Sequence, residues 1–270
     1  MIKINKKKNM KQLLSGLLAV FIFSSCEKVI TLDLKNSEPR LVIEGSVDDA
    51  GNPAKVTIGK SAPFGQSNTF PKVSGAEVAI TDNEGNRFVL AETSTGTYTN
   101  SSLQAVVGRT YSLSVVLNGK TYTAVSTVPR KMAIKELLID NDLGGGAPGS
   151  ELSKIVVTVY DDMPGFGDHA QVVQTINGKH DRQTHVVDDF YADGGSLPVY
   201  VSPGKIKLKK GDVVQHELRF IDRQVYKYLS AIQLLNDGNT IPDNPASNIS
   251  GGVLGFFSAH TSETKSIIMP

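Results

Sequence analysis

A second cysteine is missing from this 270-residue chain, and so is any tryptophan. With Cys26 alone, the chain can form no internal disulfide and no zinc site built on several thiolates. Stability must then come from an apolar core, which a chain of this length can bury. Strong net charge is missing too: 28 basic side chains stand against 27 acidic ones. No basic stripe is present to neutralise phosphates, which argues against a nucleic-acid partner. A long apolar run is also lacking. Leu13 to Phe23 gives eleven residues, short of the roughly 20 needed to span a bilayer as a helix. Gly-x-Ser-x-Gly, the strained turn of many serine hydrolases, does not occur. The Gly144-Gly145-Gly146-Ala147-Pro148-Gly149 segment has no Gly-Lys-Ser/Thr ending to cradle a phosphate.

What is present begins at the N-terminus. Lys3, Lys6, Lys7, Lys8 and Lys11 precede the apolar run, and Ser24-Ser25-Cys26 closes it. A basic, then apolar, then small-residue order is that of a secretory leader. Cysteine at the cleavage point marks a lipoprotein, with Cys26 as the acylated first residue of the mature chain. Phe23 stands where leucine is usual in such a box, and Met10-Lys11 offers a second possible start. Residues 1–25 are thus expected to be a signal peptide and 26–37 an acylated tether. Removing the leader takes five lysines and no acids, leaving 23 basic against 27 acidic residues, a net −4. Membrane contact would therefore come from acyl chains, each buried methylene contributing about 0.8 kcal/mol, and not from a polybasic patch. The expected location is a bacterial cell envelope.

The remainder reads as mainly β. Alternating segments lie at Leu41–Gly45, Lys55–Lys60, Gly75–Ile80 and Arg87–Ala91, with turn clusters at Asp48-Asp49-Ala50-Gly51-Asn52 and Asp82-Asn83-Glu84-Gly85-Asn86. Arg109–Val128 contains Asn118-Gly119, a pair suited to the positive φ of a type I′ turn. That turn sets Leu117 opposite Lys120, Val115 opposite Tyr122 and Leu113 opposite Ala124, gathering the apolar residues on one face. Pro129 ends this stretch. The expected division is a β-sandwich domain at 38–130 and a β-rich domain at 131–270. The second includes strands at Lys154–Tyr160, Gln171–Ile176 and Asp212–Ile221, and a second hairpin at Asn177-Gly178. After Asp222 the apolar period becomes helical through Val225, Tyr228, Leu229, Ile232 and Leu235. This predicts one helix near 223–236, capped by Asp222 and stopped at Gly238. Closing strands are expected at Val253–Phe257 and Lys265–Met269. The fold class is thus two β-sandwich-like units of immunoglobulin-like or transthyretin-like type, the second carrying one helix.

Candidate chemistry is sparse. His169, His180 and His185 lie within seventeen residues and near Asp161, Asp162, Asp168, Asp181, Asp188 and Asp189, with Asp193 close behind; His169, His180, His185, Asp188, Asp189 and Asp193 are the metal candidates. These imidazoles and carboxylates suit a divalent metal, and Asp188–Gly194 suits calcium, but the spacing matches neither a zinc signature nor an EF-hand loop. Solvated loop residues are the plainer reading. Phe64, Phe70, Phe166, Phe190 and Tyr191 fall in loop-like surroundings, where aromatics either form a binding surface or fold back on the core. No cofactor is implied.

Several stretches carry a family resemblance. They are Cys26-Glu27-Lys28, Glu38-Pro39-Arg40-Leu41-Val42-Ile43-Glu44-Gly45, Phe70-Pro71-Lys72-Val73-Ser74-Gly75-Ala76 and Gly108-Arg109-Thr110-Tyr111. To these is added Asn248-Ile249-Ser250-Gly251-Gly252-Val253-Leu254-Gly255-Phe256-Phe257-Ser258. Together they resemble the Bacteroidota lipoproteins grouped as domain of unknown function 4249. The N-terminal half is also similar to transthyretin-like or carboxypeptidase-regulatory β modules. The first resemblance implies an envelope lipoprotein associated with a TonB-dependent transporter, and it transfers no catalytic residue. The leading expectation is a non-catalytic protein that binds an envelope partner or ligand. A metal-dependent surface hydrolase or metal binder using His169–Asp193, and a structural or adhesive module, are the alternatives. Replacing Cys26 by Ala should move a folded protein from the membrane fraction to the soluble fraction; a Cys26→Ala chain that stays in the membrane pellet would refute the acyl anchor.

Overall fold

The computed structural model describes residues 38–62, 70–141, 154–190, 193–202, 206–236 and 244–270. Cys26 with its leader and tether, Phe64, Gly144–Gly149, Tyr191 and Gly238 lie outside these residues. The chain is mainly β, as expected, with fifteen strands and one helix among the described residues. The first seven strands are β1 (Leu41–Asp48), β2 (Ala54–Lys60), β3 (Glu77–Asp82), β4 (Arg87–Ser94), β5 (Thr97–Asn100), β6 (Thr110–Leu117) and β7 (Lys120–Thr127). They run in the order β1-β2-β5-β4-β3-β6-β7 and enclose a core built on Ile43, Val56, Ile58, Ile80, Tyr98, Tyr111 and Leu113.

Local chemistry explains the turns. Asn118 and Gly119 take φ of 51° and 74°, and β6 and β7 pair in the expected register. Tyr111, Leu113, Val115 and Leu117 are buried, while Val125 on the opposite face is 56% exposed. The turns after β1 and β3 share one device. Asp48 Oδ1 accepts the amides of Ala50 and Asn52, and its Oδ2 accepts Asn52 Nδ2. Asp82 does the same with Glu84 and Asn86. Both follow Asp-x-x-Gly-Asn.

The second set comprises β8 (Ile134–Asn141), β9 (Lys154–Asp162), β10 (His169–Ile176), β11 (Lys179–His180), β12 (His185–Asp188), β13 (Gly195–Val201) and β14 (Val213–Phe220). The helix α1 (Arg223–Asn236) and the long strand β15 (Phe257–Ile268) complete it. A three-stranded sheet, β13-β9-β8, faces β10 and β14 across Tyr160, Val172, Val199, Leu218 and Phe220. Pro198 sits in β13, an edge strand of that sheet, where a missing N–H is tolerated. Asp222 caps α1 as expected, accepting the amides of Gln224 at 2.8 Å and Val225 at 3.0 Å. Among the described residues no helix is long and apolar enough to cross a membrane.

Residues 38–270 form one compact unit, because β15 belongs to both sets. Its first four residues pair parallel with β1, Gly45 to Asp48 opposite Phe257 to His260. The next eight pair antiparallel with β14, Thr261 opposite Phe220 and Ile268 opposite Val213. Ile249, Val253, Phe257 and Ala259 accordingly pack in the first core. Two closing strands were expected where one twelve-residue strand stands, and residues 253–256 approach it as an irregular arm. Leu254 and Phe256 offer their carbonyls to the amides of Ile43 and Gly45. Gly255, between them, has φ of 98°, and a Cβ there would stand 1.9 Å from the Ile43 carbonyl oxygen. Ser126 of β7 adds a tie, donating to Asp222 and accepting the amide of Ala259 at 2.8 Å.

A polar chain crosses the second core. His216 Nδ1 shares a hydrogen bond with Thr158 Oγ1 at 2.7 Å, and its Nε2 another with Gln174 Oε1 at 2.9 Å. Gln174 in turn donates to Asp181 at 3.1 Å. Burial, with a smaller contribution from nearby His185, pushes His216 down from 6.5 to about 4.

Two outcomes follow from these contacts. Gly255→Ala should destabilise the fold by more than about 2 kcal/mol, since it adds both left-handed strain and backbone overlap; denaturant melts measure this, and an unchanged midpoint would refute the close approach. His216 is depressed in the folded state, so the unfolded chain takes up its proton first. Its stabilisation is therefore complete above pH 6.5 and is lost as pH falls toward 4, on the order of 2 kcal/mol by pH 5. Thermal melts at pH 7.5 and pH 5 should show a smaller acid loss in His216→Gln than in the parent chain.

Candidate functional site

The sequence-level candidates converge at one end of the second sandwich. β10 pairs antiparallel with β12, placing His169 opposite Asp188. The β9–β10 loop, residues 163–168, therefore lies beside the segment that follows β12. Carboxylates fasten the two segments through backbone amides. Asp189 accepts Gly167 N at 2.8 and 3.0 Å and Asp168 N at 3.1 Å. Asp193 accepts Gly165 N at 2.6 Å, and Asp162 Oδ2 accepts Gly194 N at 2.9 Å. Gly165 and Gly167 take φ of 111° and 112°, a region that side chains with a Cβ avoid. That backbone turns their amides toward the acids.

Arg130 grips the same loop from the connection between the two sandwiches. Its Nε donates to Asp168 at 2.8 and 3.0 Å, and Nη2 also contacts that carboxylate. The carbonyls of Met163, Pro164 and Gly165 accept the rest of the guanidinium at 2.7 to 2.9 Å. The Asp168 bonds raise the Arg130 pKa above its ordinary value.

A hollow of about 500 Å³ opens over these loops, lined by Phe166, His169, Asp188, Asp189, Phe190 and Arg223. Phe166 and Phe190 are each 70% exposed. At its wall His169 stacks on Tyr226 with ring centroids 4.4 Å apart, and Tyr226 donates to Asp188 at 2.9 Å. Burial lowers the His169 pKa despite the opposing Asp188 and Asp189 charges, so the imidazole is neutral near pH 7. Burial and then the Asp188 bond raise the Tyr226 pKa. The arrangement thus offers aromatic surface, a neutral imidazole and carboxylates, with Arg223 at the edge.

Of the six residues singled out for a metal, the structure groups His169, Asp188 and Asp189 around this hollow, with Asp193 in the adjoining loop. His180 is not among them. It pairs with Thr175, six residues along β10 from His169, about 20 Å away at strand rise. His185 pairs with Val172, three residues along the same strand. His180 instead borders a second hollow of about 430 Å³ with Glu44, Lys55, Arg219 and His260. His260 is buried, which lowers its pKa to about 4, and its Nδ1 lies 3.1 Å from Ser258 Oγ. Asp162 and Asp168, which stand near the histidines in the chain but were not among the six, belong to the loop cluster, as does Arg130, for which the sequence offered no signal.

No curated protein matches this chain. A solved structure, the chicken interferon gamma receptor alpha chain, shares 10% identity over 87% of this chain and 100% of that one. Its TM-score is 0.23, and an overlap at that level supports no argument about this chain. A family model described as "Domain of unknown function (DUF4249)" matches residues 27–266.

Proposed function

Taking as premise that the chain belongs to the DUF4249 family, we propose that it is an acyl-anchored, non-catalytic protein of a Bacteroidota outer membrane. Its partner on this reading is an envelope protein of the TonB-dependent transporter class. Cys26 after a basic and apolar leader supports the anchor. The observation that carries the binding role is the pair Phe166 and Phe190, both largely exposed at the rim of one hollow. Aromatic anchors of this kind supply large contact area at low conformational cost and dominate protein interfaces. The polar groups beneath them serve as supports: Asp189, Asp193 and Asp162 hold loop amides, and Tyr226 holds Asp188. Acyl chains at Cys26 would keep this face near membrane proteins without a transmembrane helix. The N-terminal sandwich, of the transthyretin-like type on this reading, would serve as the stalk on which the second unit is carried.

Cross-linking in intact cells followed by mass spectrometry tests the proposal. The parent chain should capture an outer-membrane transporter, and Phe166→Ala/Phe190→Ala should lose at least about 10-fold of that capture with an unchanged melting temperature. Equal capture by both chains, or recovery of the parent only as a free monomer, would overturn it.

A further inference from the structure

We infer that Asp162, Asp168 and Asp189 form a binding site for a hard divalent cation of the calcium class. Each offers a carboxylate oxygen, and these oxygens lie within 4.8 Å of one another. Asp162 and Asp189 are 6% and 3% exposed, and the Asp168 side chain is 10% exposed. Three carboxylates in so small a buried volume repel one another, and burying charge without compensation is costly. Arg130 bonds only to Asp168, and its single charge, which Asp162 and Asp189 also feel, leaves the three acids with a net −2.

A second observation falls on the same three residues. Both oxygens of Asp168 are bonded to Arg130, and both oxygens of Asp189 are bonded to the Gly167 amide. Asp162 Oδ2 takes the Gly194 amide. Asp162 Oδ1 is buried and has no hydrogen-bond partner. It is the one carboxylate oxygen of the three residues left in this condition. A cation held between the three acids satisfies it and offsets the charge that Arg130 leaves.

The donor chemistry selects the ion. All three ligands are carboxylate oxygens, with no thiolate or imidazole among them, which suits calcium, magnesium or manganese over zinc or copper. Oxygens around calcium stand at about 2.4 Å from the ion, so they can be as far apart as about 4.8 Å across it. Magnesium at about 2.0 Å needs a tighter cluster. Water or the rim of the hollow supplies the remaining ligands.

Such an ion would join the end of β9 to the segments on either side of it, those that carry Phe166 and Phe190. That consequence rests on the binding role proposed above; occupation of the acidic cluster does not.

Calorimetric titration of CaCl2 into the detergent-solubilised full chain, stripped with EDTA, tests the site, with MgCl2 and ZnCl2 in parallel. One calcium per chain is expected, with a melting temperature raised by about 5 °C at millimolar CaCl2. Asp162→Asn and Asp189→Asn should each weaken binding more than about 10-fold, while Asp161→Asn, at the exposed end of the same strand, should retain it. The titration of the unmodified chain decides even where a variant fails to fold. No calcium uptake at millimolar concentration and a melting temperature indifferent to EDTA would overturn the site. Calcium binding that survives while the Phe166→Ala/Phe190→Ala chain captures as much transporter as the parent would strike the partner reading alone.

Discussion

The parallel pairing of β1 with the first residues of β15 is the constraint on which the rest of this fold depends. β15 supplies Phe257 and Ala259 to the first core, then continues as the partner of β14 in the second sandwich. The approach to that pairing is narrow. Leu254 and Phe256 reach β1 only because Gly255 carries no side chain where the Ile43 carbonyl stands. Ser247 and Asn248 hold the arm from behind, the first donating to the Gly255 carbonyl at 2.6 Å and the second bracketing Phe257. Tyr228 of α1 accepts the Gly255 amide at 3.1 Å. A single strand thus carries the continuity of two cores.

Carboxylates do most of the loop work, and chiefly as acceptors of backbone amides. Asp48 and Asp82 close the turns after β1 and β3, Asp222 caps α1, and Asp162, Asp189 and Asp193 stitch the loops of the second unit. Hydrogen bonds from amides to an ionised oxygen are stronger than neutral ones, whereas exposed ion pairs contribute little. Asp82 combines both: its Asn86 and Glu84 bonds, with Arg109 beside it, hold its carboxyl below the usual range. The histidines take the opposite path. His216 and His260 are buried and neutral, held by hydroxyl and amide neighbours.

What was legible in the sequence was local. The Asn118-Gly119 hairpin, its register, the Asp-rich turns and the Asp222-capped helix all rest on contacts within a few residues. β5, β12 and β13 were not seen, since four to seven residues with little alternation leave a weak signal. β8 was not seen either; the expected division at 130/131 fell just before it. The irregular arm at 253–256 looked like a strand because Val253, Leu254, Phe256 and Phe257 are apolar, while its real determinant is a glycine facing a carbonyl more than 200 positions earlier. The site divides in the same way. His169, Asp188 and Asp189 were visible as a cluster in the chain. Asp162 stood near them in the chain, whereas Arg130 reaches Asp168 from 38 positions away, a contact that no spacing rule announces.

The shared strand has a consequence for how this chain is made. β1 is delivered more than 200 positions before its parallel partner. Until residues 257–268 arrive, one side of β1 and one side of β14 stand as open edges, and the first core lacks Phe257 and Ala259. Closure of so distant a contact is entropically slow, and open edges invite pairing with other chains. Synthesis from the N-terminus thus leaves both sandwiches unfinished, open to chaperones and proteases, until residues 257–268 seat.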